Sequence, residues 1–268
     1  MLQRIGRIAL VLSLAGTAAA GATGLIYHGG PVLLGTTTVY YVFYGDWSAE
    51  ATQTAVLTTF AQCVGGSSYY NINTTYYDGA GRHVSNSVAY GGSVADNYSH
   101  GRSLTDAAVK AIVSGAISSG AFPADAHAVY FVLGAADVDE SSGLCTAYCG
   151  WHNHATIAGQ DIKFAFVGDP DRCPAACESG YFPSGDAGAD GMAGTVALLL
   201  NETVTDPDFN AWTDAQGFEP AAKCAFTYGT LYTTANGSQA DVHLCDRDFI
   251  LPENWVNVRA GRCAIKYP

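Results

Sequence analysis

Basic residues are scarce in this chain. Twelve Lys and Arg stand against twenty-four Asp and Glu, and charged residues of either sign make up only 13% of the sequence. Nucleic acid and anionic membrane surfaces both demand a basic patch, so neither is expected as a partner. Beyond the first twenty residues no apolar run approaches the roughly 20 residues that span a bilayer, which excludes a membrane span there. The sequence has no GxSxG elbow, no GxGxxG, no P-loop and no kinase signature, and thus no indication of a serine hydrolase, dinucleotide enzyme or phosphotransferase. Histidine is missing from the whole stretch between His154 and His243.

The first twenty residues have the layout of a secretory leader. Arg4 and Arg7 form a basic start, Ile8 to Ala15 an apolar middle, and Ala18-Ala19-Ala20 a small-residue cleavage site. The expected mature chain runs over 21–268 as one domain, secreted and extracellular. Loss of Arg4 and Arg7 with the leader takes the formal net charge from −12 to −14. Eight cysteines follow: Cys63, Cys145, Cys149, Cys173, Cys177, Cys224, Cys245 and Cys263. An even number behind a leader reads as disulfides. The rival reading is a zinc site from Cys145, Cys149, Cys173 and Cys177. Their CxxxC spacing differs from the CxxC of zinc ribbons, and an oxidising compartment favours disulfides. Four N-glycosylation sequons lie at Asn73, Asn97, Asn201 and Asn236.

Along the chain, Val39 to Tyr44 reads as a buried strand, 49–63 as a helix with Ser48 as its cap, and Tyr69 to Tyr77 as a second strand. A turn at Asp78-Gly79 leads to a third strand over Val84 to Tyr90. Leu104 to Ile117 carries a helical apolar face. Ala128 to Leu133 and Ile162 to Val167 are further strands. Between these two strands lies the cysteine-rich segment CTAYCGWHNH, and a loop over 170–190 enters a helix over 191–204. Asp190 is expected to cap that helix, and Asp206-Pro207 to end it. The acids Asp186, Asp190, Asp206 and Asp208 lack EF-hand spacing, which argues against calcium. His28, next to Gly29-Gly30-Pro31, is expected to hydrogen-bond a turn. The fold class is α/β: a twisted mixed sheet with packed helices, stapled by disulfides.

Several blocks carry a family resemblance. They are Tyr27-His28-Gly29-Gly30-Pro31 with Tyr44-Gly45-Asp46-Trp47, then Cys149-Gly150-Trp151-His152, and Arg172-Cys173-Pro174-Ala175-Ala176-Cys177. Gly188-Ala189-Asp190-Gly191-Met192, Thr203-Val204-Thr205-Asp206-Pro207 and Asn254-Trp255-Val256-Asn257 complete the set. Together they resemble the EXORDIUM, or phosphate-induced protein, family of secreted proteins. The resemblance extends to its microbial branch, whose helix block is similar to a His-Glu-x-x-Glu metallopeptidase motif. It therefore implies a zincin-like arrangement in which Leu198 stands for the metal-binding His and Leu199 for the catalytic Glu. Only Glu202 survives, with Glu219 as a further acid. A peptidase helix needs the imidazole for the metal and the carboxylate for the bound water. No catalytic residue, metal or cofactor is thus expected. If a metal is held at all, its ligands are drawn from His152, His154, Glu202 and Glu219; an i, i+2 pair on a strand would put both histidines on one face.

The resemblance also leaves Cys63 and Cys245 outside the matched blocks, which suggests that they pair with each other. It implies a non-catalytic glycoprotein, a pseudoenzyme related to growth or the cell surface. Its partner would be a protein or polysaccharide of the extracellular matrix or cell wall. Two alternatives stand beside it: a zinc metallohydrolase with unusual ligands, and a structural wall or coat component.

Overall fold

The computed structural model describes residues 24–268, so the expected leader over 1–20 lies outside the described residues. The β-branched and aromatic run Thr37–Tyr44 forms strand β1. Helix α1 follows at Ala51–Cys63, strand β2 at Val88–Asp96, helix α2 at Asp106–Ser118 and strand β3 at Ala128–Gly134. Strands β4, Gly150–Ile157, and β5, Gln160–Val167, form a hairpin, and the long helix α3 spans Ala187–Thr205. The five strands lie in the order β2-β1-β3-β5-β4. All are parallel except the edge strand β4, which runs antiparallel to β5.

Alternation along the strands sorts the core into two layers. Tyr41, Phe131 and Val167 join α1 and α3 on one face. Tyr40, Val42, Tyr130 and Phe166 join α2 on the other. Helices on both faces explain why β1 and β3 are buried throughout and read as unbroken apolar runs. The Ala158-Gly159 turn of the β4–β5 hairpin has positive φ at both residues, 50° and 77°, as a two-residue turn of primed type requires. Helix α3 passes beneath β4 at Gly150. A Cβ there would sit 2.9 Å from Leu199 and 3.0 Å from Thr195, so only glycine permits this approach.

Two expected elements differ. Tyr69 to Tyr77 is no strand: Tyr70–Thr75 forms a 3₁₀ helix. The Thr74 and Thr75 hydroxyls donate to the carbonyls of Asn71 and Ile72, and the Ser67 hydroxyl accepts from the Tyr70 N–H. These local bonds outcompete a sheet ladder. The third strand begins at Val88 rather than Val84, because 77–83 is closed by an Arg82–Asp78 contact network. The cap of α3 is Asp186, accepting from the Ala189 N–H at 2.9 Å; Asp190 is instead buried and accepts from Ser184.

All eight cysteines are paired: Cys63–Cys245, Cys145–Cys173, Cys149–Cys177 and Cys224–Cys263. The zinc alternative for the central four cysteines is thereby replaced by two bridges. Those bridges bind the segment before β4 to the short helix Pro174–Cys177, and so hold the edge strand over the start of α3. No helix among the described residues is long and apolar enough to cross a membrane.

Candidate functional site

Strand β4 sends Trp151 into the α2 layer and His152 toward α3. The His152 side chain is 1% exposed, and its ring lies against Phe209, with centroids 4.6 Å apart. Its Nε2 is 3.1 and 3.2 Å from the two carboxylate oxygens of Glu219. Glu202, on the last turn of α3, is buried beside them. One ligand atom from each of His152, Glu202 and Glu219 lies within 4.8 Å of the others.

Local chemistry sets each residue in place. The Asp214 carboxylate accepts from the Gln216 and Phe218 N–H groups and pairs with Lys223 at 2.7 Å, which fixes the loop that delivers Glu219. Asp206 caps the end of α3 and accepts from the Asn210 and Ala211 N–H groups at 2.7 and 2.6 Å. Those bonds turn the chain back so that Phe209 covers His152. Phe209 adopts φ 58°, a conformation costly for a bulky residue and held here by the bonded turn around it.

The electrostatics are one-sided. Burial raises the Glu202 carboxyl far above the usual range, and the nearby Glu219 raises it further. Burial, then Asp206, does the same to Glu219. Burial lowers His152, opposed by Glu202 and Asp206. Glu202 Oε1, Asp206 Oδ2 and His152 Nδ1 are buried with no hydrogen-bond partner among the described residues.

His154 does share the face of His152, as its contact with Phe209 at 6.1 Å shows, but it does not join the inner group. It lies one step outward with Asp161 and Asp208. Lys163 serves that outer group, pairing with Asp208 at 2.8 Å and also with Asp161. Thus, among the described residues, the outer acids have a cation in Lys163 and the inner ones pair with no Lys or Arg. Of the helix positions that would carry peptidase chemistry, Leu199 is 1% exposed within the core, and Leu198 is partly buried in a groove with Gly150, Thr195 and Pro252. Sequence reasoning assigned Asp206 only to the helix stop and missed Phe209. The i, i+4 spacing of Glu202 and Asp206 was the available signal. His28 bonds Thr213 at 2.8 Å, in a structural role.

Two expected glycan sites are buried. The Asn73 amide donates to the Asn201 carbonyl oxygen at 2.8 Å, the Asn254 amide donates to Asn73, and the Asn201 amide donates to the Tyr69 hydroxyl. Asn73 and Asn201 are 0% and 1% exposed, which leaves no room for a sugar on either. Asn97 and Asn236 are exposed.

The conserved region of phosphate-induced protein 1 matches residues 25–245. Protein EXORDIUM-like 5 of Arabidopsis thaliana is 30% identical over 224 residues, covering 72% of this chain and 61% of its own length. EXORDIUM-like 3 of the same plant is 28% identical over 78% of this chain and 72% of its own. Protein PHOSPHATE-INDUCED 1 of Nicotiana tabacum is 28% identical over 76% and 72%. This chain thus spans 61% of the length of EXORDIUM-like 5. No solved structure matches.

Proposed function

The chain belongs to the phosphate-induced protein 1, or EXORDIUM, family, and from that premise we propose that it acts outside the cell as a non-catalytic protein of the matrix or wall. The observation that carries this reading is the state of helix α3. Leu199 is packed in the core where a general base would be needed, Glu202 and Glu219 are buried, and Phe209 covers the His152 ring beside them. A hydrolytic centre must admit both substrate and water.

Extracellular placement is supported by the leader-like residues 1–20 and by four disulfides. Within that reading the partner is a wall polysaccharide, and one exposed aromatic ring supports it. Tyr77 is 38% exposed, and its ring borders those of Tyr27 at 6.1 Å and Trp212 at 5.0 Å. The exposed Tyr77 ring can stack on a sugar, with the buried Trp212 supporting it from beneath. The test is sedimentation of the purified protein with insoluble wall polysaccharide, alongside a peptidase assay with and without chelator. Retention that falls on Tyr77→Ala, with no chelator-sensitive cleavage, is expected. Cleavage abolished by chelator would favour a second reading, a zinc metallohydrolase using His152, Glu202 and Glu219, whose one support is the convergence of those side chains.

A further inference from the structure

The inner cluster has a feature that loss of catalysis does not explain. Glu202 and Glu219 are buried together, Asp206 lies beside them, and no Lys or Arg among the described residues pairs with any of the three. The outer cluster, a few residues away on the same sheet edge, has Lys163 for the same purpose. An uncompensated buried carboxylate is among the most costly arrangements a fold can hold.

From this geometry we propose that His152, Glu202 and Glu219 form a buried, structural site for one divalent transition-metal ion, with zinc the natural candidate. One imidazole nitrogen and two carboxylate oxygens are a donor set that zinc accepts. Zinc–ligand bonds of about 2.0–2.1 Å in a tetrahedron place ligand atoms about 3.3 Å apart, a spacing the His152–Glu219 pair matches, while Glu202 lies within 4.8 Å of both and would close in on the ion. The imidazole nitrogen and carboxylate oxygens of His152 and Glu219 stand at 3.1 and 3.2 Å. Glu202 Oε1 is unpartnered and buried. Asp206 Oδ2 is a further unpartnered acceptor near the group.

The consequence is mechanical. The three ligands come from the edge strand, the end of α3 and the loop after Asp214, which have no disulfide directly between them. An ion here would pin those segments together. It would do so without hydrolysing anything, because Phe209 and the surrounding burial keep substrate away.

The test uses the full secreted chain and zinc itself. Metal analysis after exhaustive dialysis should find about one zinc per chain. Stripping with a strong chelator should lower the thermal midpoint, and added zinc should restore it. Cobalt substituted for zinc should give the visible absorption of a low-coordinate N/O site. Glu202→Gln and Glu219→Gln keep side-chain shape and should fold, judged by near-ultraviolet circular dichroism, yet bind zinc at least about tenfold more weakly. His154→Ala, in the outer cluster, should retain the metal. The proposal fails if the wild-type protein takes up no zinc and shows no thermal shift, or if His154→Ala removes the ion and Glu202→Gln does not. Zinc bound together with chelator-sensitive peptidase activity would uphold the site and overturn the non-catalytic reading.

Discussion

At the scale of single residues, adjacent leucines on α3 have different fates. Leu199 is in the core at 1% exposure, while Leu198 is only partly covered at the groove. Leu199→Ala should therefore cost about 2–5 kcal/mol in urea unfolding, and Leu198→Ala clearly less. Equal losses would show that the helix is rotated from its place here. Asp169 supports a pH prediction. Its carboxyl is held up to about 6, chiefly by burial, although the Asp171 N–H and the Gln53 amide both donate to it. The folded state thus binds this proton more tightly than the unfolded chain does. The resulting stabilisation is complete below about pH 4 and is lost as pH rises through 6, up to about 3 kcal/mol. Asp169→Asn should flatten the stability curve across that window; the unpartnered Gln53 Oε1 can accept from the new amide. An unchanged slope between pH 4 and 7 would mean that this carboxyl does not titrate there. The sequons follow the same logic of burial. After expression through a eukaryotic secretory pathway, glycopeptide mass analysis should show sugar at Asn97 or Asn236 and none at Asn73 or Asn201, whose side chains are bonded to each other.

At the scale of elements, legibility tracked how local the cause was. Strands β1, β3 and β5 and all three long helices could be read from apolar runs and periodicity, because the fold buries those residues in the manner their pattern suggests. Strand β4 could not. Its sequence, GWHNHATI, is polar on the face that carries His152 and His154, since that face holds the site. The 3₁₀ helix Tyr70–Thr75 was hidden for a different reason. Its aromatic and Thr-rich composition suits a strand, and only the side-chain bonds to backbone decide otherwise. Glu202 and Glu219 were both visible as candidate acids. That His152, and not His154, would meet them depends on the long turn closed by Asp206, which no spacing in the sequence reveals. The two bridges Cys145–Cys173 and Cys149–Cys177 each close a separation of 28 residues and lie side by side. Replacing Cys149 and Cys177 by Ala should cost about 3 kcal/mol. The neighbouring bridge keeps the segment tethered, so the protein should still fold. Complete loss of folded protein from that double variant alone would show that one bridge cannot hold β4 over α3.

At the scale of the molecule, the conserved family region ends at Cys245, yet the core does not. Phe249, Leu251 and Val256 are fully buried and Trp255 nearly so. The tail also completes polar groups deep inside the N-terminal half. The Tyr76 hydroxyl donates to the Trp255 carbonyl at 2.5 Å, the Tyr69 hydroxyl to that of Pro252 at 3.1 Å, and the Asn254 amide to Asn73. Cys263 closes the last bridge onto Cys224. A chain stopped after Cys245 would leave the Tyr76 hydroxyl without its acceptor, take one bond each from Tyr69 and Asn73, and leave Cys224 unpaired. At roughly 1.5–3 kcal/mol for each large apolar side chain, it would lose on the order of 6–12 kcal/mol of burial. Whole domains are stable by only about 5–15 kcal/mol. The truncated chain should therefore fail to accumulate as a folded protein, whereas a cut after Ala264 that keeps Cys263 should be tolerated far better. The yield of folded protein, followed by urea unfolding of whatever is recovered, measures the difference. A cooperative unfolding transition from the chain ending at Cys245 would show that the family region is a domain in its own right and the tail an addition to it.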